Sequence, residues 1–240
     1  MITELKRLWK QAFGDTDAFI ESFFRVGYAP ERCKYLATEG HVTAALYWFD
    51  CTVSGQKWAY LYAIATDEAF RNRGLCRHLM QQTHDHLRSL GYAGTILVPG
   101  SRELFAFYEK LGYRTCSYVA EAEFPAGTPV DLRCIEPAEY AAARRALLPP
   151  GGVVQEGVTL DFLENFAALY AGDGFVLAAS MDGDRAIVHE LLGDIDGSAV
   201  TAALGVKTAR IRTPGESKPF AMYYPLENTP APAYFGLALD

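Results

Sequence analysis

The residues with the most obvious chemical potential lie together at 71–77: Arg71, Asn72, Arg73, Gly74, Leu75, Cys76 and Arg77. Before them, residues 57–66 alternate in the manner of a strand. After them, Leu75, Leu79, Leu87 and Leu90 fall roughly on one helical stripe. The segment therefore sits at a strand-to-helix junction. Glycine there lets backbone N–H groups approach a ligand closely. The start of a helix adds unsatisfied donors and the positive end of the dipole. Three arginines add full charge, and the whole suits a pyrophosphate. The G-K-[ST] of a Walker A loop is missing, and so is the G-x-G-x-x-G of a dinucleotide loop.

The segment resembles the signature of the GNAT superfamily of acyl-CoA-dependent N-acyltransferases, [RQ]-x-x-G-x-[GA] at a strand-to-helix junction. Residues 71–74 match it in place, and Cys76 stands where the family usually has Gly or Ala. A second stretch, residues 101–113 (Ser-Arg-Glu-Leu-Phe-Ala-Phe-Tyr-Glu-Lys-Leu-Gly-Tyr), is similar to the family's N-x-x-[AS]-x-x-[FL]-Y-x-K-x-G-[FY]. Either motif alone is a weak signal; the two together, at this separation, are a strong one. The resemblance covers roughly residues 1–124. It implies acetyl-CoA as cosubstrate, with Arg71, Asn72, Arg73, Gly74, Leu75, Cys76 and Arg77 around the pyrophosphate. It also implies backbone groups of Ile64, Ala65 and Thr66 along the pantetheine, and Ser101 in place of the usual Asn. Tyr108 falls on the tyrosine that protonates the departing thiolate. A packing role for Tyr108 stays open, because it lies on the apolar face of its helix. Cys76 reads first as a small packing residue, although thiols at helix starts are often activated.

These residues need a scaffold, and the chain supplies one. Two amphipathic helices are expected at 3–13 and 18–27. Strands are expected at 33–38, 42–49 and 57–66, joined by turns at Glu39-Gly40 and Ser54-Gly55. In the third strand Trp58, Tyr60, Tyr62 and Ile64 should share one face and Ala59, Leu61 and Ala63 the other; the face of Trp58, Tyr60 and Tyr62 is a candidate lining for an acceptor pocket. A helix from Gly74 to Gly91, a strand at 95–98, a helix from Ser101 and an extended stretch at 113–124 complete an order α-α-β-β-β-α-β-α-β. The family's usual first strand is missing, so a strand from elsewhere, such as the second unit, is expected at that sheet edge.

The turn-rich stretch 125–129 marks a boundary, giving units at 1–124 and 131–240. The second is expected to hold helices near 137–148 and 160–170, a hairpin of 175–180 and 185–192 around Asp182-Gly183, a helix near 198–204, and strands at 207–212, 220–226 and 234–239. This order repeats the first unit in shortened form. At the matching junction it reads Gly193-Asp194-Ile195-Asp196-Gly197, and two carboxylates there would repel a pyrophosphate. The expected architecture is α/β: a GNAT acyl-CoA N-acyltransferase fold, with a mixed, mostly antiparallel sheet flanked by helices, and a second, smaller, degenerate GNAT-like α/β domain.

Composition narrows the remaining choices. The 240 residues are 50% hydrophobic and 21% charged, with a net charge of −7, which suits a packed core and disfavours nucleic-acid or anionic-membrane binding. Residues 1–130 hold 14 basic and 14 acidic residues, whereas 131–240 hold 8 and 15. The neutral half thus carries the arginine cluster, and the acidic half could help attract a cationic amine. Five cysteines without a C-x-x-C pair suggest free, mostly buried thiols rather than a disulfide framework or a zinc site. His84 and His86 are two apart on a helix and read as a solvated face, so no metal is expected. No signal-peptide core or membrane-length apolar run is present, and a cytoplasmic location follows.

The expected reaction is direct transfer of acetyl from acetyl-CoA to a primary amine of a small molecule or peptide. A base must first deprotonate that amine. Glu21, Asp50 and the terminal Asp240 are weak candidates, and the role stays unassigned. Two other readings stand beside this one: a non-catalytic acyl-CoA-binding or sensor module, and transfer of an aminoacyl group from charged tRNA. The second needs a basic groove that neither half has. A homo-oligomer is left open.

Overall fold

Leu5, Leu8 and Trp9 recur at helical spacing, and they form the buried stripe of α1 (Ile2–Phe13). The fold is seen in a computed structural model, which describes residues 1–239. Gly14 ends α1, and Thr16 caps α2 (Asp17–Val26) by accepting the Phe19 N–H at 3.2 Å. β1 (Cys33–Thr38), β2 (His41–Val53) and β3 (Gln56–Thr66) form an antiparallel meander with the two expected tight turns. Then come α3 (Leu75–Ser89), β4 (Gly94–Leu97), α4 (Arg102–Glu109) and β5 (Arg114–Pro125). The element order expected for the first unit is the one observed.

The second unit runs β6 (Arg133–Cys134), α5 (Pro137–Leu147), β7 (Val154–Gln155), α6 (Val158–Leu163), β8 (Ala168–Gly172), β9 (Phe175–Asp182), β10 (Arg185–Leu192), α7 (Gly197–Ala203), β11 (Thr208–Pro214) and β12 (Lys218–Pro225). Two expectations fail here. The helix expected over 160–170 stops at Leu163, where the Asn165 amide donates to the carbonyls of Asp161 and Phe162. Residues 168–172 then alternate between buried and half-buried and pair with β9. Residues 234–239 are not a strand either. Their one backbone bridge to an earlier segment is Gly152 to Tyr234; side chains bond the Phe235 N–H and carbonyl and the Leu237 carbonyl, and the Ala238 N–H turns back to the Gly236 carbonyl.

One continuous sheet joins both units, in the order β1-β2-β3-β4-β12-β5-β11-β10-β9-β8-β6. Among the described residues only the strand pairs β3/β4 and β10/β11 are parallel, so the sheet is mixed and mostly antiparallel. α1, α2, α5 and α6 share one core on one face. α3 and α4 pack on the opposite face of the first half, and α7 packs on β5 and β11. β12 comes from the second unit yet lies between β4 and β5 of the first. β5 is the shared strand: its residues 114–119 pair with β12 and 119–125 with β11. The strand expected to cover β1 does not do so. β7 reaches the sheet beside β2 at Cys51 and Thr52, beyond the end of β1.

A cleft at the splayed strands as candidate active site

β3 and β4 pair only from Trp58 to Tyr60 against Gly94 to Ile96. Beyond that point β3 continues to Thr66 while β4 stops at Leu97, and a cleft of about 1080 Å³ opens between them. A bulge shapes its wall. Ala45 pairs with Ala65 and Tyr47 with Tyr62, so Leu46 opposes both Ala63 and Ile64. Ala63 takes φ 47°, which is uncommon for a residue with a Cβ. The bulge corrects the expected alternation: Ala63 joins the core of Tyr60 and Tyr62, and Ile64 joins that of Ala59 and Leu61. One inserted residue exchanges the two faces.

The expected site residues fall into two groups. Ile64, Ser101 and Tyr108 line the cleft. Arg71, Asn72, Arg73, Gly74 and Arg77 lie exposed at the head of α3, outside the cleft lining, while Ala65 and Thr66 close the end of β3 against Ala45 and Ala44. Leu75 and Cys76 connect the groups, because they pack against the same core as Tyr108. Gly74 is the residue before α3, with φ 77° and nothing within 4 Å of where a Cβ would stand. No side chain caps α3, so its first N–H groups keep their capacity for an anion. By contrast, Asp196 caps α7 by accepting the Ser198 N–H, so the equivalent junction of the second unit uses its own carboxylate there.

The loop before Gly74 is held from below. Asp67, with its side chain 4% exposed, accepts the Ala69 N–H at 3.0 Å and Arg7 at 2.9 Å, and bonds His41 at 3.0 Å. Arg7 also donates to the Val42 carbonyl at 2.8 Å. Burial pushes the Asp67 carboxyl up, but these bonds outweigh it and hold the group below its ordinary value. The network fixes the turn at Glu68–Phe70 that feeds the loop. Arg71 bonds the Thr66 carbonyl and Arg73 the Ala69 carbonyl, so both guanidinium groups stay near the loop.

Burial pushes the Tyr108 hydroxyl well above its ordinary value, with the neighbouring Cys76 thiol adding to the effect. It also raises Cys76 to about 11, so this thiol is not activated by the helix start. The Tyr108 ring packs 5.7 Å from that of Tyr113. Tyr108 is thus a packed residue whose hydroxyl stays protonated at neutral pH.

The other end of the cleft is aromatic. Trp9, Phe13, Phe19, Tyr60, Tyr62, Phe166 and Phe220 line it, with Asp15, Arg212 and Lys218. Trp9 donates to Asp15 at 2.7 Å, and Arg212 and Lys218 both bond Glu121. Of the expected acceptor face, Tyr60 and Tyr62 reach the cleft, whereas Trp58 is fully buried. The candidate bases Glu21 and Asp50 do not line it: Glu21 pairs with Lys6, and Asp50 accepts from Tyr92. Asp240 lies outside the described residues. Among the described residues, the carboxylates found on the wall are Asp15 and Glu109. Residues 238 and 239 also line the cleft; nothing in their apolar sequence signals this. His84 is not solvated as expected. It is 3% exposed, stacked on Tyr224 at 4.2 Å and bonded to Tyr113. Cys134 is exposed, whereas Cys33 and Cys51 are buried.

Residues 1–116 match the family model described as acetyltransferase (GNAT) domain. Those residues, just under half of the chain, are matched as a GNAT domain. The whole fold is similar to solved GNAT proteins. A GCN5-related N-acetyltransferase from Kribbella flavida shares 16% identity at TM-score 0.68, over 94% of this chain and 70% of that one. One from Anabaena variabilis shares 14% at TM-score 0.71 with the same coverage. A tandem GNAT protein from the clavulanic acid biosynthesis pathway shares 12% at TM-score 0.57, over 95% and 96%. No curated protein sequence matches. The likeness thus extends past the matched domain into the second lobe, as in that tandem protein. Among the described residues, no group of three or more His, Cys, Asp or Glu could hold a metal ion, and no helix is long and apolar enough to cross a membrane.

Proposed function

We propose that the chain is an N-acetyltransferase that moves an acetyl group from acetyl-CoA directly to a primary amine. The GNAT domain supports acyl transfer in general. The observation that carries the finer reading is the junction of two sites: an uncapped helix start at Gly74 beside a cleft that Tyr108 and a bulged strand line. The fit is physical. The pyrophosphate would meet Gly74 and the first N–H groups of α3, with Arg71, Arg73 and Arg77 around it. The pantetheine would run along the part of β3 that β4 leaves unpaired, near Ile64, Ala65 and Thr66, with Ser101 opposite.

In the reaction the neutral amine nitrogen attacks the thioester carbonyl carbon. A C–N bond forms, negative charge gathers on the carbonyl oxygen, and the C–S bond then breaks. Backbone N–H groups at the Ala63/Ile64 bulge are suited to that oxygen. The thiolate takes a proton from Tyr108, whose hydroxyl burial keeps protonated. The proton lost by the amine passes to water, or to Asp15 or Glu109 on the wall. The acceptor, a small molecule or a peptide, enters at the aromatic end, where ring faces favour an ammonium group on an apolar body.

The test is release of free thiol from acetyl-CoA across a panel of amines, aminoglycosides and peptides. At least one amine should accelerate release. Tyr108→Phe should lower kcat by about 100-fold, the low end for general acid catalysis, with CoA binding intact. Binding without release in any mixture would favour the sensor reading. Release unchanged by Tyr108→Phe would remove the acid assignment.

A further inference from the structure

Arg144 on α5 and Glu190 on β10 form an ion pair whose side chains are 1% and 0% exposed. The pair is bidentate, with Arg144 donating from Nε at 2.6 Å and from a terminal nitrogen at 3.0 Å. Buried pairs of this kind are often replaceable by apolar residues without loss of stability, so what the pair holds in place matters more than its own energy. Here it holds a strap. Arg144 also donates to the Val153 carbonyl at 3.1 Å and lies 3.5 Å from Gln155 Oε1. Tyr234 donates to Glu190 Oε1 at 3.1 Å. Gln155 Nε2 donates to the Leu237 carbonyl at 2.9 Å.

The segment 234–239 is tied at Tyr234, Phe235, Leu237 and Leu239. The Ser117 hydroxyl accepts the Phe235 N–H at 2.9 Å and donates to the Phe235 carbonyl at 2.7 Å. Gly236 passes so close that a Cβ would stand 1.9 Å from Tyr234 Oη and 2.8 Å from Glu190 Oε1. At the far end Tyr62 donates to the Leu239 carbonyl at 2.9 Å, and the Leu239 N–H donates to Tyr60 Oη at 3.4 Å. Tyr60, Tyr62, Ala238 and Leu239 all line the cleft.

We propose that Arg144, Glu190, Gln155 and Tyr234 are positioning residues through which the second lobe sets segment 234–239 as a wall of the acceptor end of the cleft. That this end receives an amine rests on the function proposed above. The strap explains why a lobe whose own helix start is closed by Asp196 accompanies the GNAT domain. It supplies a rigid wall that the domain's own strands, splayed beyond Tyr60, do not provide.

The experiment uses the full chain with Gln155→Met, which keeps side-chain length and removes the donor to Leu237. Amide exchange of peptide 234–239 should quicken at least tenfold while that of peptide 75–89 is unchanged. CoA affinity should stay within twofold, and the KM for 2-phenylethylamine should rise at least fivefold. If the variant does not fold, Tyr234→Phe is read the same way, with a threefold threshold. The proposal is overturned if exchange at 234–239 is unchanged, if CoA affinity falls in step, or if the amine KM does not move. If wild-type protein releases no thiol with this amine, the acetyltransferase reading loses support separately. Exchange, CoA affinity and calorimetric binding of 2-phenylethylamine with CoA present then decide the strap.

Discussion

Replacing Gly74 separates two roles that one glycine could have. Its φ of 77° costs an ordinary residue about 1–2 kcal/mol, whereas asparagine visits that region with little penalty. The space beyond it is empty, so a new side chain meets nothing in the protein itself. Gly74→Ala should therefore lose about 1 kcal/mol, a fall in Tm of about 2–4 °C for a chain of this size. Gly74→Asn should lose only a few tenths of that. If the empty space is where pyrophosphate meets the helix start, both variants block it. Losing one charge-assisted bond costs about 1.5–3 kcal/mol, so CoA should bind roughly 10- to 100-fold more weakly in both. Thermal melts and calorimetric CoA titration read the two effects apart. Gly74→Asn binding CoA as tightly as wild type would falsify the loop assignment, and would leave the glycine a purely conformational role.

Three other outcomes are expected. Asp67→Asn weakens the bonds that hold the turn before the loop, so the KM for acetyl-CoA should rise about threefold to tenfold, in line with a modest loss of charged hydrogen bonding, with kcat unchanged; steady-state kinetics check the split. Burial lowers His84 to about 4 from 6.5, so below pH 6.5 the unfolded chain takes up a proton that the folded chain refuses. Stability should fall by about 2 kcal/mol from this group between pH 7 and pH 5, and urea unfolding of His84→Gln should show a smaller fall than wild type. At pH 8 Ellman's reagent should react rapidly with one thiol, the exposed Cys134. Burial raises Cys33 and Cys116 to about 12 and Cys76 to about 11, so Cys134→Ser should abolish the fast phase.

The first half was legible because its signals are local. The stripe Leu5, Leu8, Trp9 and the turns at Glu39-Gly40 and Ser54-Gly55 are read within a few residues of themselves. The two motifs around Gly74 and Tyr108 are equally local. The bulge at Ala63 was not legible, since an inserted residue leaves an alternating sequence looking regular until its partner strand is seen. Residues 168–172 continue a helical apolar pattern past Leu163, and only pairing with β9 makes them a strand. Residues 234–239 are mostly apolar, and the groups that hold them, Ser117, Gln155 and Glu190, lie far away in sequence. His84 reads as solvated in the sequence because Tyr224, which covers it, comes from β12. In each case the missing information was the identity of a distant partner, which periodicity does not encode.

The placement of β12 between β4 and β5 has a consequence for biosynthesis. When residue 125 leaves the ribosome, every strand that the GNAT domain itself encodes has been made. The sheet still has a slot in its middle, and it stays open until residues 218–225 emerge. For roughly a hundred residues of translation the nascent chain therefore exposes the inner edges of β4 and β5. Such edges are sites of mispairing and invite chaperone capture. The protein cannot complete its first half before its second, so a chain stalled or truncated in the linker keeps this seam open.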